Sequence, residues 1–110
     1  GYDAIPTVTY DSGTTTADWN NGNTQQMTFG AGNITTFAFT DPAYSVGQSV
    51  KLIIIKDGTG SRLVTTWDAD IKWAGGGTAP TLSTGSNAID VITCIRRSAD
   101  YLCAPALDFQ

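Results

Sequence analysis

Histidine and glutamate are both absent from this 110-residue chain, and methionine occurs once. Histidine is the commonest general base of enzymes and a frequent zinc ligand, so its absence makes many catalytic and metal-binding classes improbable. All ten acidic residues are aspartates, and threonine occurs seventeen times. Because glutamate is a good helix former and threonine fits strands, this composition favours strands and turns.

Positive charge is also scarce. The chain has six basic residues, a net charge of -4 and a pI near 4.3. Binding of a phosphate backbone needs clustered lysine or arginine, and the one adjacent basic pair, Arg96-Arg97, is expected to lie solvated at a hairpin end. We therefore expect no nucleic-acid partner.

Long apolar runs are missing as well. The longest, Leu52-Ile53-Ile54-Ile55, has the length of a strand and not the roughly 20 residues of a membrane helix. Residues 1–6 lack the basic and apolar regions of a signal peptide, and we expect them to mark the boundary of a fragment. The pattern predicts no membrane insertion and no cofactor.

Alternating apolar residues and glycine-rich turns predict an all-β fold, a small antiparallel β-sandwich of hairpins. Asn21-Gly22 and Gly30-Ala31-Gly32 are turn signals, and Asp57-Gly58-Thr59-Gly60 is another. Three hairpins are predicted, pairing 25–29 with 34–39, 49–56 with 62–67, and 88–97 with 100–109. Residues 1–22 are predicted to be an arm or shaft connector, and residues 23–110 the domain.

The strand over residues 49–56 is apolar on both faces, with Val50, Leu52 and Ile54 on one side and Ile53 and Ile55 on the other. A chain this short builds only a modest core. We expect neighbouring copies of the chain to cover the second face.

The two cysteines face each other if the last hairpin turns at Ser98-Ala99. Cys94 then lies opposite Cys103 at a non-hydrogen-bonded pair, within disulfide reach. A reducing cytosol would instead leave two buried thiols, so both alternatives stay open here.

Catalytic and metal sites have little support. Asp68 and Asp70 share one strand face and could act as an acid-base pair or bind calcium, but a third acidic residue is not nearby and solvated carboxylates are the simpler interpretation. The loop Gly58–Ser61 lacks the lysine of a phosphate-binding loop. We expect no metal.

Aromatic side chains are the better binding candidates, because indole and phenol rings stack on the apolar faces of sugars. Packing is the commoner role for tryptophan, whereas Tyr44 lies in a predicted loop. Tyr44, Trp73 and Asp70 are the candidate receptor-binding residues.

The middle and end of the chain resemble a module of bacteriophage tail fibres and related virion proteins. The resemblance covers about residues 23–110 and is carried by a long motif: the strand ending in Lys56, Asp57-Gly58-Thr59-Gly60-Ser61-Arg62, Val64-Thr65-Thr66-Trp67, 72–83, 87–92 and Phe109. It implies an all-β domain near the C-terminus of a fibre, usually trimeric, in which distal loops meet a host receptor such as a polysaccharide. No fixed set of binding residues comes with it.

The leading hypothesis is therefore a non-enzymatic virion protein, assembled in the host cytoplasm, that contacts other virion proteins and a host surface glycan. One rival is a capsid decoration or head-fibre protein. Another is a fibre-borne depolymerase that uses Asp68, Asp70 or Asp90 across a subunit boundary. A third is a monomeric carbohydrate-binding module.

Overall fold

The computed structural model describes residues 4–43 and 46–110. These residues are nearly all β, and a single 3-10 turn at Trp19–Asn21 is the one helical element among them. The strands are β1 Thr14–Asp18, β2 Thr24–Thr28, β3 Ile34–Thr40, β4 Ser49–Ile55, β5 Val64–Trp67, β6 Ile71–Trp73, β7 Ile89–Arg96 and β8 Tyr101–Phe109.

The strands form two sheets. One has three strands in the order β1-β3-β5, and the other has five in the order β2-β4-β7-β8-β6. The first six strands alternate between the sheets along the chain, so that β1 pairs with β3, β2 with β4, and β3 with β5, all parallel. The predicted all-β class is confirmed, but the antiparallel arrangement of hairpins is wrong for this part of the chain.

The Asn21-Gly22 signal does not make a hairpin. The Asp18 carboxylate accepts a hydrogen bond from the Asn20 backbone N–H at 3.0 Å and so caps the 3-10 turn. Gly22 then leaves the turn with a positive φ of 145°, and β2 starts in the other sheet. Gly22 therefore lies where the chain crosses from one sheet to the other, and not in the turn of a hairpin within one sheet.

The Asp57–Gly60 turn forms, but it also leads to the opposite sheet. Asp57 accepts a hydrogen bond from the Gly60 N–H at 2.9 Å, and Gly60 has a φ of 74°. A Cβ at position 60 would collide with the Thr84 carbonyl oxygen, so glycine is required there. The predicted pairing of 49–56 with 62–67 is wrong, because β5 pairs with β3.

The last predicted hairpin is present, with β7 antiparallel to β8 and Cys94 opposite Cys103. The structure joins these two cysteines in a disulfide, with their Cα atoms 4.1 Å apart. The register places Arg96 beside Tyr101 and Ile95 beside Leu102, as the two-residue turn predicts.

Aromatic side chains from the two sheets meet in the core. The ring of Phe39 in β3 packs edge-on against Tyr101 in β8, with centroids 5.1 Å apart. Trp67 in β5 packs edge-on against Trp73 in β6 at 5.3 Å. The alternation of β3 puts Phe37 and Phe39 on one side of the strand, and both are buried in the core.

The N-terminal residues described by the structure belong to the same fold. β1 lies beside β3, Val8 and Trp19 are buried in the core, and Thr7 forms a bridge with Gln26. The predicted boundary at residue 22 is therefore not a boundary in the structure: residues 7–22 are not an arm.

Candidate interaction surface

One surface of the five-stranded sheet points away from the core and is largely apolar. Alternation with the buried residues of β4, β7 and β8 defines it, and we call it the apolar face. Its large apolar side chains are Ile53, Ile55, Ile89, Val91, Ile95, Leu102 and Phe109, and the exposed lysines Lys51 and Lys72 lie on the same side.

The strand register arranges these side chains in rows across the sheet. Ile95 lies beside Leu102, and Ile89 lies between Ile55 and Phe109. Ile95 is 47% exposed, Leu102 39% and Phe109 50%, values that are high for large apolar side chains. Neighbouring exposed residues of this kind typically mark an interaction surface.

The two faces of β4 behave as the sequence predicts. Val50, Leu52 and Ile54 are buried in the core, whereas Ile53 and Ile55 on the apolar face are only half-buried. The fold therefore covers one apolar side of this strand and leaves the other side partly open to water.

A shallow groove of about 440 Å³ lies at one end of the apolar face. The exposed side chains of Ile95 and Leu102 line it, and the exposed Lys72 adds a positive charge to the lining. The lining residues are Lys72, Trp73, Ala74, Thr93, Ile95, Leu102, Cys103 and Ala104.

The outward face of the three-stranded sheet has a different chemistry. Thr14 in β1, Thr36 in β3 and Thr66 in β5 lie side by side in one row. Thr16 and Thr40 extend this threonine face, and both are exposed. Hydroxyl groups are compatible with water, so the two outward faces of the molecule differ sharply in polarity.

A polar cluster forms where the parallel strands β1, β3 and β5 end. Asp18 is the last residue of β1, and Asp41 and Asp68 directly follow β3 and β5. Because the carboxyl ends of parallel strands meet at one edge of a sheet, the three aspartates lie at the same edge. Asp41 accepts a hydrogen bond from the Tyr101 hydroxyl at 2.7 Å and lies 3.5 Å from the Arg96 guanidinium. Burial of the Tyr101 hydroxyl, followed by its hydrogen bond to Asp41, raises the pKa of Tyr101.

Among the sequence-predicted receptor residues, Asp70 lies near this polar end. It is exposed and follows Asp68, which accepts hydrogen bonds from the backbone N–H groups of Phe39 and Asp70. Tyr44 lies outside the described residues. Trp73 is 92% buried against Trp67, so its ring offers little surface for stacking on a sugar.

A buried charged network lies at the opposite end of β4, and the sequence analysis missed it. The Lys56 ammonium is 2.9 Å from the Asp90 carboxylate, and both side chains are fully buried. Asp90 also accepts hydrogen bonds from the Ser83 hydroxyl, the Ser83 N–H and the Asp108 N–H, at 2.6 to 2.9 Å. The one signal in the sequence was a lysine that continues the buried positions of an apolar strand.

This network fixes the charge of Asp90. Burial raises the pKa of the carboxyl group, but the hydrogen bonds from Ser83, Asp108 and Lys56 outweigh that effect and hold the pKa below its usual value. Because Asp90 is ionised, bonded on both oxygens and inaccessible, it cannot contact a polysaccharide in this fold. Of the three aspartates named in the depolymerase hypothesis, Asp90 is therefore not available to a substrate in this fold.

The described residues contain no cluster of three or more side chains suited to hold a metal ion. Within 4–43 and 46–110, no helix is both long and apolar enough to cross a bilayer. No protein-family model matches the sequence, and no curated protein or solved structure is significantly similar to the chain.

Proposed function

We propose that this chain is a non-enzymatic structural domain of a bacteriophage virion, part of a tail fibre. Its two sheets act as a β-sandwich whose copies associate as a homotrimer through the apolar face. The polar end then meets a host surface polysaccharide. The resemblance of residues 23–110 to tail-fibre modules is the reason for this setting, and the difference between the apolar face and the threonine face supports the assembly step.

The energetic argument concerns the exposed side chains of the apolar face. Full burial of a leucine, isoleucine or phenylalanine contributes roughly 1.5 to 3 kcal/mol. Ile95, Leu102 and Phe109 retain about half of their exposure, so each contributes about 1 kcal/mol when a second copy covers it. The threonine face offers no comparable gain, and it is expected to remain in contact with water.

Adhesion is assigned to the polar end because its groups match the hydroxyls of a saccharide. Exposed carboxylate and amide side chains there include Asp70 and Asn20. The side-chain carbonyl oxygen of Asn20 accepts a hydrogen bond from the Ala43 N–H, and its side-chain amide donates to the backbone carbonyl oxygen of Asp41. These bonds connect the start of the loop after β3 to the rest of the fold and give the end a defined shape.

The assembly step is tested by the mass of the purified domain in solution. We expect a monodisperse trimer for the natural sequence, a monomer for Ile95→Asp, and an unchanged trimer for Thr16→Asp on the threonine face. Both substitutions place an aspartate on an exposed strand position, so a general loss of folding would affect both. A monomeric natural chain would refute the assembly proposal, and electron microscopy of the parent particle would show whether the domain lies on a tail.

The absence of catalysis is tested separately, by incubating the domain with a panel of bacterial surface polysaccharides. We expect retention of a glycan without release of reducing ends. Release that disappears in Asp68→Asn or Asp70→Asn would show that the domain is a depolymerase instead.

A further inference from the structure

The segment between β1 and β2 contains an exposed asparagine that is followed by a glycine, Asn21-Gly22. Asn21 ends the 3-10 turn, and Gly22 follows it where the chain crosses to the other sheet. In such a pair the backbone nitrogen of the glycine can attack the side-chain amide of the asparagine, because glycine has no Cβ to obstruct the approach. The two groups belong to adjacent residues, so the reaction is intramolecular.

The other four asparagines are poorly placed for this reaction. Each is followed by a residue that carries a side chain. Each also makes a side-chain hydrogen bond of 2.9 to 3.2 Å: Asn20, Asn23, Asn33 and Asn87. A side-chain amide that turns toward the next backbone nitrogen would lose such a bond. The side chain of Asn21 makes no hydrogen bond to residues 4–43 or 46–110.

The attacking nitrogen of Gly22 is weakly held. It lies 3.4 Å from the Trp19 carbonyl oxygen, which is longer than the usual hydrogen-bond range of about 2.7 to 3.2 Å. Little free energy is therefore needed to separate the Gly22 N–H from its acceptor.

The Asp-Gly pair at 57–58 provides a contrast within the same chain. The Asp57 carboxylate accepts hydrogen bonds from the Gly60 N–H at 2.9 Å and from the Arg62 guanidinium at 3.2 Å. Cyclisation at this pair would break both bonds, and the ionised carboxylate is a poor acceptor of a nucleophile. The structure thus separates a protected pair from an unprotected one.

We infer that Asn21 is a site of spontaneous deamidation, which converts it to an aspartyl or an isoaspartyl residue. The Gly22 nitrogen bonds to Cγ of Asn21, the bond from Cγ to Nδ2 breaks, and ammonia leaves with the proton of the Gly22 N–H. Water then opens the cyclic imide at either carbonyl. One opening restores the normal backbone, and the other routes the backbone through the side chain and adds a methylene to it.

The added methylene falls in a segment that is fixed on both sides. The buried Gln25 amide donates to the Gly22 carbonyl oxygen at 2.9 Å and to the Asp18 carbonyl oxygen at 2.7 Å. A longer backbone between Asp18 and Gly22 cannot keep both bonds and the cap of the 3-10 turn. Asn20, which connects this turn to the loop after β3, then shifts as well.

The chemical step does not depend on the proposed function, but its effect on adhesion does. Asn20 belongs to the polar end to which glycan binding is assigned, and the conversion also adds a negative charge beside it. The isoaspartyl form is therefore expected to be retained less by the glycan that retains the natural chain. A natural chain that retains no glycan would refute the proposed adhesion, and the residue found to be modified would still decide the site.

The site is tested by incubating the folded chain in a mildly alkaline buffer and following acidic species by isoelectric focusing. Mass spectrometry of peptides identifies the modified residue, and enzymatic methylation detects isoaspartate. Asn21→Gln keeps the amide but requires a larger ring, and Asn23→Gln makes the same change at an exposed asparagine followed by threonine. An unfolded synthetic peptide of residues 16–26 gives the rate without the fold.

We expect the natural chain and Asn23→Gln to convert at position 21, and Asn21→Gln to form acidic species more slowly by about tenfold or more. Equal rates in Asn21→Gln and the natural chain would overturn the assignment. A folded chain that stays unmodified while the peptide converts would show that the fold protects Asn21, and would overturn it too.

A second measurement tests the effect on the fold. The isoaspartyl form, separated by ion exchange, is expected to unfold at a lower urea concentration than the natural chain. Freshly prepared Asn21→Asp carries the added charge on a normal backbone and should unfold close to the natural midpoint. An isoaspartyl form as stable as Asn21→Asp would show that the crossing between the sheets accommodates the extra methylene, contrary to the contacts of Gln25.

Discussion

At the scale of single residues, the pair Lys56 and Asp90 has the largest expected effect on stability. Both side chains are fully buried and 2.9 Å apart. The two partners differ in how many other contacts they have, because Asp90 keeps three further donors while Lys56 otherwise faces the Phe29 ring at 5.4 Å. Loss of the carboxylate should therefore cost more than loss of the ammonium.

We predict that Asp90→Asn lowers the free energy of unfolding by about 3 to 5 kcal/mol, because it leaves the Lys56 charge buried without a counter-charge. Lys56→Met should cost less, about 1 to 3 kcal/mol, since Ser83 and Asp108 still bond the carboxylate. Urea unfolding at neutral pH measures both. Equal losses in the two variants would contradict this division of roles.

The same carboxylate gives a pH dependence with a defined sign. The pKa values of Asp57, Asp90 and Asp100 are all lowered in the folded chain. Their contribution to stability is therefore complete above the unfolded pKa of about 3.9 and is lost as the pH falls through the lower folded value.

We expect the urea midpoint to stay nearly constant from about pH 5 to pH 8, because the chain has no histidine to titrate there. Below about pH 4 the midpoint should fall. The fall should be shallower in Asp90→Asn, in which one of the three groups no longer titrates. A slope in the variant as steep as in the natural sequence would assign the acid response to other carboxylates.

At the scale of strands, the second half of β8 is an edge that β6 does not cover. β6 pairs with β8 at 101–103, and the Ala74 N–H bonds the Cys103 carbonyl oxygen. In the register with β7, residues 101, 103 and 105 point their backbone groups toward the β6 side. Position 105 is a proline, which has no N–H to donate to an added strand.

We predict that Pro105→Thr exposes a new edge donor and increases light scattering of a concentrated solution with time. Pro80→Thr, in a loop, controls for the loss of a proline ring and should behave like the natural sequence. If Pro105→Thr remains as clear as the control, then the edge is protected by something other than this proline.

The strands also show what the sequence could and could not predict. The positions of β2, β3, β4, β7 and β8 follow from alternating apolar residues, and the last hairpin follows from its two-residue turn. The partners of β2 and β3 do not, because alternation determines which face is buried and not which neighbour is hydrogen-bonded. A loop such as 30–33 can connect two strands of a hairpin in one sheet or two strands in different sheets. Here it connects β2 and β3, which lie in different sheets.

At the scale of the whole molecule, the surface to which function is assigned was predicted in part. The two apolar faces of β4 indicate that one side needs external cover, and the register of β7 with β8 adds Ile95 and Leu102 to that side. Packing was the commoner role expected for a tryptophan, but the contact of Trp73 with Trp67 was not predicted, because it depends on β5 and β6 lying in opposite sheets. Single-sequence patterns do not contain that information.

The proposed assembly couples association of the copies to folding. If the apolar face is buried only between folded copies, association stabilises the folded state by mass action, and the melting temperature rises with protein concentration. Ile95→Asp should melt at a temperature independent of concentration, because an aspartate within the contact would have to be buried without a partner. Thr16→Asp should keep the dependence of the natural sequence. Calorimetry over a hundredfold range of concentration separates the outcomes: a natural chain whose melting temperature does not change would mean that the exposed isoleucines and leucines of this face remain in water, and that the fold is complete in one copy.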